Sequence, residues 1–405
     1  MTADPLPGRL AGEVERLDWL RMLPVFAIIG FYAAAIGAVL PVLPFYLREM
    51  GASPLVFGLV LAAEASSQSA ASPLLGQLSD RFGRQRILLA SQTIAIVSLL
   101  LLALAQSIFT VLLARFLFGL TAGNFSAAIA YAADNSSPGT RRQAIGIVSA
   151  GHGLGTIVGA GISSLLSEAS LTTPIYMALG LSAAGALVAA FGLKGGRASS
   201  RADDSPDREA ISFRAIVGSP VVRVLVIVML CHFLAFGMYT SQLPNFLADR
   251  FMWNGQPVGP REFGYIIAAD GVINILVQLF LLGWLGRFLS ERQLIVLIFA
   301  LMSAGFVGAG VAGTIPVLAF AVLCISTGDA LAKPTYLAAL SVHVPPERQG
   351  IVMGAGQALV AVTDITAPVL AGFILGMGLY GVWIGAAVAM AAIGATFAAS
   401  CLPRR

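Results

Sequence analysis

The sequence predicts an all-α membrane protein of twelve transmembrane helices in two pseudo-symmetric six-helix bundles. Three observations predict it. The first is composition: of 405 residues, 58% are apolar and 11% charged, where soluble domains carry roughly 25% charged residues. So little charge cannot cover a water-facing surface, which excludes a soluble globular protein and turns most of the surface toward hydrocarbon. The second is spacing. Charged or Pro/Gly-rich clusters cut the chain into twelve apolar stretches, each near the roughly 20 residues that an α-helix needs to cross about 30 Å of bilayer. The third is a weak repeat. Leu43-Pro44-Phe45-Tyr46-Leu47 returns as Leu243-Pro244-Asn245-Phe246-Leu247, Gly76-x-Leu78 as Gly283-x-Leu285, and Arg142-Gln143 as Arg348-Gln349. Their shared offset argues for two similar halves, an architecture that places a substrate site at the midplane between them.

Residues 1–21 read as an N-terminal segment that is amphipathic, contains acids and shows no cleavage site, so a cleaved signal peptide is not expected. Spans one to six are expected at 22–46, 56–79, 87–106, 108–133, 143–167 and 172–193, giving an N-terminal bundle over 22–193. Residues 194–219 are a linker: the stretch 195–210 is Gly/Ser-rich, highly charged and without apolar periodicity. Spans seven to twelve are expected at 220–247, 263–286, 293–312, 315–341, 350–376 and 379–401, a C-terminal bundle over 220–401 followed by a tail at 402–405. The basic residues test this count. Only Arg48, Arg250 and Arg261 fall on one side and only Arg115 and Lys333 inside spans, which leaves nineteen of the 24 Lys and Arg on the side of the termini. That side is then cytoplasmic.

Cys231, Cys324 and Cys401 are widely spaced and fit neither a disulfide framework nor a metal site. No nucleophile elbow, zinc-protease motif or phosphate-cradling Gly loop occurs, and the Gly151/Gly153/Gly155 run lies inside a span, where it serves helix packing. An enzyme, a cofactor, a metal and a nucleic-acid partner are therefore not expected. The expected partners are a small-molecule substrate, protons and the lipid bilayer, with the chain acting as a monomer.

Between spans two and three stands Gly76-Gln-Leu-Ser-Asp80-Arg81-Phe-Gly83-Arg84-Gln-Arg86. Physically this is a tight turn in which Gly76 lets helices approach, Gly83 takes the turn conformation and Asp80 pairs with guanidinia or caps a helix. The string resembles the loop signature of the major facilitator superfamily. Pro41-Val-Leu-Pro44, Ala114-Arg115-Phe-Leu-Phe-Gly119, Ala130-Tyr-Ala-Ala-Asp134 and Pro345-Pro-Glu-Arg-Gln349-Gly350 are similar to stretches of its drug:proton antiporter branch, which includes tetracycline exporters. The resemblance implies the major facilitator fold and alternating access in a bacterial cytoplasmic membrane, with export of an amphiphile in exchange for protons. It implies gating roles for Gly76, Asp80, Arg81, Gly83 and Arg84, and a place for Arg115 near a proton relay. Two positions depart from the branch: an acid is replaced by Tyr32, and the span-five Gly-Pro-x-x-Gly-Gly is reduced to Gly159-Ala160-Gly161-Ile162-Ser163-Ser164.

A charge in hydrocarbon costs at least ~2.5–3.5 kcal/mol, so each ionisable residue inside a span is a functional candidate. Glu64 and Asp270 are near-symmetric mates, one per half, and out of water the neutral form of a carboxyl is favoured, as a proton carrier requires. Gln68 follows Glu64 by one helical turn and Asn274 follows Asp270 in the same way, which suggests a polar lining. Asp329 and Lys333 share a face just before Pro334. They are either a self-neutralising pair or a charge site whose partner is exchanged for an anionic substrate group or released by protonating Asp329. Arg115 needs a carboxylate or carbonyl partner. Proton coupling is thus assigned to Glu64, Asp270, Arg115 and Asp329, and substrate contact to Gln68, Asn124, His232, Asn274, Lys333 and Asp364. A porter for an anionic or metal-chelating metabolite, with Lys333 and Arg115 as counter-charges, is the alternative.

Overall fold

The structure is a computed structural model that describes residues 17–137, 139–193, 219–344 and 349–403. The linker residues 194–218, the segment 1–16, the Pro345–Arg348 part of the span-eleven motif and the terminal Arg404 and Arg405 lie outside the described residues.

Among the described residues twelve long helices follow one another: α1 Trp19–Glu49, α2 Pro54–Phe82, α3 Arg84–Ala103, α4 Ile108–Asp134, α5 Arg141–Leu166, α6 Thr173–Phe191, α7 Pro220–Arg250, α8 Pro260–Leu285, α9 Glu291–Val311, α10 Ile315–His343, α11 Gln349–Gly376 and α12 Tyr380–Cys401. Their starts follow local chemistry. Ser53, Ser107, Ser219 and Ser290 each cap a helix by accepting a hydrogen bond from the backbone N–H three residues on. Prolines at the first turns of α2, α6, α7 and α8 occupy positions whose N–H has no helical partner. Three helices are interrupted: α1 by a turn between Val39 and Leu43, α4 between Gly119 and Gly123, and α8 by a π-helical turn over Val277–Leu281. Helix α10 continues unbroken through Pro334. A two-residue β-hairpin, Met252–Trp253 against Gln256–Pro257, joins α7 to α8.

Eleven of these helices are long and apolar enough to cross a membrane, and α2 is the exception. Its 29 residues suffice in length, but Glu64, Gln68 and five serines dilute its apolar content. The reason is its place, since α2 packs along α11 and along both parts of α4. Counting α2, twelve such helices run in alternation among the described residues, so the start of α1 and the end of α12 lie on one face, here the terminal side; the opposite face is the far side.

The buried apolar residues form clusters drawn from 17–193 and a separate one drawn from 222–402, as expected of two six-helix bundles. Contacts joining the halves gather on the far side. A Cβ on Gly58 of α2 would strike the Pro368 carbonyl of α11, and one on Gly372 would strike the Pro54 carbonyl, so these helices touch backbone to backbone. The Gln242 amide donates to the Pro54 carbonyl (3.1 Å), Arg48 pairs with Asp249 (2.7 Å), and Arg261 pairs with Glu168. Tyr380 also donates to Asp249 (2.9 Å). On the terminal side the ion pairs formed by described residues, Arg84–Asp80, Arg84–Asp134, Arg21–Asp18 and His343–Glu291, each stay within one half.

Candidate functional site

A cavity of about 410 Å³ lies where α1, α2, α7, α8, α10 and α11 converge, beneath the far-side seam. Its wall is mostly apolar, formed by Leu40, Pro44, Phe57, Leu61, Phe236, Phe263 and Ile325 among others. Two carboxylates, Asp270 of α8 and Asp364 of α11, enter it, together with the hydroxyls of Thr240, Ser241 and Ser326. An apolar chamber with a few converging polar groups suits an amphiphilic ligand. Phe45 and Phe263, ring centroids 6.4 Å apart, meet across the halves near its outer end.

In the N-terminal half, Arg115 of α4 is buried and its guanidinium meets the carboxylate of half-buried Glu64 on α2. The guanidinium also lies over the Phe118 ring, 4.9 Å from its centroid, and Phe118 stacks on Tyr32 at 5.9 Å. The Tyr32 and Thr121 hydroxyls are 2.9 Å apart. Tyr32, which stands where the antiporter branch carries an acid, thus adds a neutral hydrogen-bonding ring beside the ion pair. Sequence spacing could not join Glu64 to Arg115, because they sit on different helices.

In the C-terminal half the expected Asp329–Lys333 pair does not form. The partner of Asp329 is His232 of α7, with Nε2 3.2 Å from Oδ1. The physical reason is direction: Asp329 faces α7, whereas Lys333 is exposed at mid-helix, within electrostatic reach of His152 on α5 and Asp364 on α11. That reach to both halves places Lys333 on the crevice between them. His232 is fully buried, so it is not the substrate contact that was expected. Gln68 is exposed and Asn274 accepts from the Gln278 amide (2.7 Å); both stand apart from the cavity wall. Asn124 is also fully buried and outside the cavity wall, its amide without a hydrogen-bond partner among the described residues.

The loop between α2 and α3 is held by one side chain. Arg84 pairs with Asp80 (2.5 Å) and Asp134 (3.2 Å) and donates to the Ser79 hydroxyl (3.1 Å), tying the loop to the end of α4. Gly83 has φ +95°, a conformation other residues rarely adopt. Arg81 lies over the neighbouring Phe82 ring at 5.4 Å. Gly76 differs from expectation: space beside it is open, and no helix packs closely there. Among the described residues no ion pair joins the halves on that side, and the close approach this glycine permits is not made in this conformation.

Residues 25–368 match the sequence model of the Major Facilitator Superfamily. Curated relatives include the class C tetracycline resistance protein of Escherichia coli, 29% identical over 86% of this chain and 88% of the relative. The class B tetracycline resistance protein of the same species is 30% identical over 84% of each. Among solved structures, the nucleoside transporter NupG superposes with a TM-score of 0.79 over 94% of this chain and 99% of that one at 14% identity, a likeness of fold.

Proposed function

The chain belongs to the major facilitator superfamily, and from that membership we propose that it exports an amphiphilic small molecule in exchange for protons by alternating access. It is an integral membrane transporter; exchange, direction and substrate are the proposal. The observation that carries it is the apolar cavity between the halves, entered by Asp270 and Asp364 and covered on the far side by the backbone contacts of Gly58 with Pro368 and Gly372 with Pro54. A cavity open to one face at a time is what alternating access requires. The excess of arginines assigns the terminal side to the cytoplasm, so this conformation is ready to load from within. The membrane is then the bacterial cytoplasmic one, as for the Escherichia coli relatives, whose names attach resistance to tetracycline.

The halves 22–193 and 220–401 rock as two bodies. Asp270 and Asp364 face the substrate and exchange its cationic group for protons, Glu64 and Arg115 couple the same event within the N-terminal half, and the Arg84 clasp sets which state is populated. The test is flux in proteoliposomes with an imposed pH gradient and an amphiphilic fluorescent cation. Uphill movement that a protonophore abolishes is expected, and Asp270→Asn should keep exchange while losing accumulation. Flux indifferent to the gradient would overturn proton coupling.

A second reading rests on Lys333, which is exposed on the crevice and makes no ion pair among the described residues. It suits a substrate with an anionic group. Lys333→Gln should then weaken binding of organic anions and leave cations unaffected; the reverse outcome favours the first reading.

A further inference from the structure

His232 is completely buried, and its Nδ1 has no hydrogen-bond partner among the described residues. Four aromatic rings wall it in: Phe233 at 5.1 Å, Tyr336 at 5.5 Å, Phe299 at 6.1 Å and Phe236 at 6.2 Å between centroids. A dry aromatic box is a costly place for an imidazole unless its one polar contact is used. That contact is Asp329, at 3.2 Å, whose side chain keeps 24% of its surface exposed. Three residues before Asp329 on the same helix stands Ser326, which lines the cavity with Asp270, and Asp270 in turn lies within electrostatic reach of Asp329.

We propose that His232 and Asp329 are a proton-binding pair, loaded from the cavity by way of Asp270 and Ser326 and separate from the Glu64–Arg115 pair. This deepens the proton-exchange reading and rests on it. Charge arithmetic separates the two pairs. Glu64 and Arg115 together are already neutral, and a proton added to Glu64 leaves a buried guanidinium without its counter-charge. Neutral His232 with ionised Asp329 totals one negative charge, and one proton brings that to zero whichever atom holds it. No bond other than the one to the proton forms or breaks.

The titratable groups that bear on the pair are Tyr336 on α10 and Asp270 on α8, with Cys231 of α7 in reach of Tyr336, whereas Lys333 of α10 bears on Asp364 of α11. Helices α9 and α12 bring Phe299 and Gly394, which do not titrate. Because the pair bridges α7 and α10, losing its net charge alters what holds these helices together next to the substrate cavity.

Nitrogen-15 NMR of the imidazoles in the purified full chain tests this without any transport assay. The chain has three histidines, and His152→Asn and His343→Asn assign the His232 signals while leaving His232 in place. The expected result is a His232 ring that takes up a proton as the solution is acidified, and a response to acid that changes in Asp329→Asn. An imidazole that keeps one form throughout the series, or whose response ignores Asp329, overturns the proposal even if the protein transports. Reconstituted His232→Gln should move about one proton fewer per substrate. An unchanged ratio while His232 titrates in the parent would also overturn it, since the pair would then sense pH without carrying the proton. Absence of proton-driven flux in the parent is a different result: it removes the exchange reading and leaves the NMR outcome standing.

Discussion

Arg115 has 3% of its side chain exposed, and among the described residues Glu64 supplies its one ionic contact. A buried cation that keeps its charge at every physiological pH cannot be neutralised by losing a proton, so its partner fixes what the site tolerates. Glu64→Gln should destabilise the protein by on the order of 3–5 kcal/mol and abolish uphill transport, whereas Glu64→Gln with Arg115→Met should restore most of the stability and none of the coupling. Thermal unfolding of the three proteins in detergent, beside flux in proteoliposomes, checks it. Residues of this kind were only half legible in the sequence. That Glu64, Arg115, Asp270 and Asp329 are exceptional follows from charge in an apolar run, but which pairs with which depends on contacts between helices, and one-turn spacing misdirected the partner of Asp329 from His232 to Lys333.

At the scale of elements, α2 and α11 form the seam that closes the far side. Gly58 and Gly372 let the two backbones touch, and any Cβ at either point would fall on a carbonyl. Gly58→Leu should wedge the seam apart and move the population toward a far-side-open state. A cysteine placed at Leu40 on the cavity wall should then react with a membrane-impermeant thiol reagent from the far side at least ~10-fold faster than in the parent. Equal labelling rates would show that the seam does not hold the closed state. Element boundaries were readable because apolar run length and flanking charges locate helices. The seam was not, since glycines that touch a neighbour and glycines that face open space, such as Gly76, look alike in one sequence.

For the molecule as a whole, two of the three arginines on the sparsely basic side span the halves, Arg48 to Asp249 and Arg261 to Glu168. Both pairs are partly exposed, so each is weak and screened by salt. Raising ionic strength should therefore loosen the far-side closure of the parent protein a few-fold, and Arg48→Gln with Arg261→Gln should loosen it equally and remove the salt response. The same labelling at Leu40→Cys, run from about 10 mM to 1 M salt, reads both effects. A double variant as salt-sensitive as the parent would assign the response to other charges. Twelve spans and two halves were legible because hydrocarbon tolerates few alternatives; the closed face was not, since it depends on how two finished bundles meet.

The polar composition of α2 has a consequence for biosynthesis. When α2 leaves the ribosome, neither Arg115 nor the face of α11 that will cover its outer end has been made. An unpaired Glu64 then opposes insertion by ~2.5–3.5 kcal/mol on translocon scales. The second span must be carried into the bilayer by its strongly apolar neighbours α1 and α3, and it becomes settled there only when α4 delivers the arginine. The groove that α2 later forms with α11 stays unfilled until nearly the whole chain has been synthesised, so the far-side closure is among the last features of the molecule to assemble.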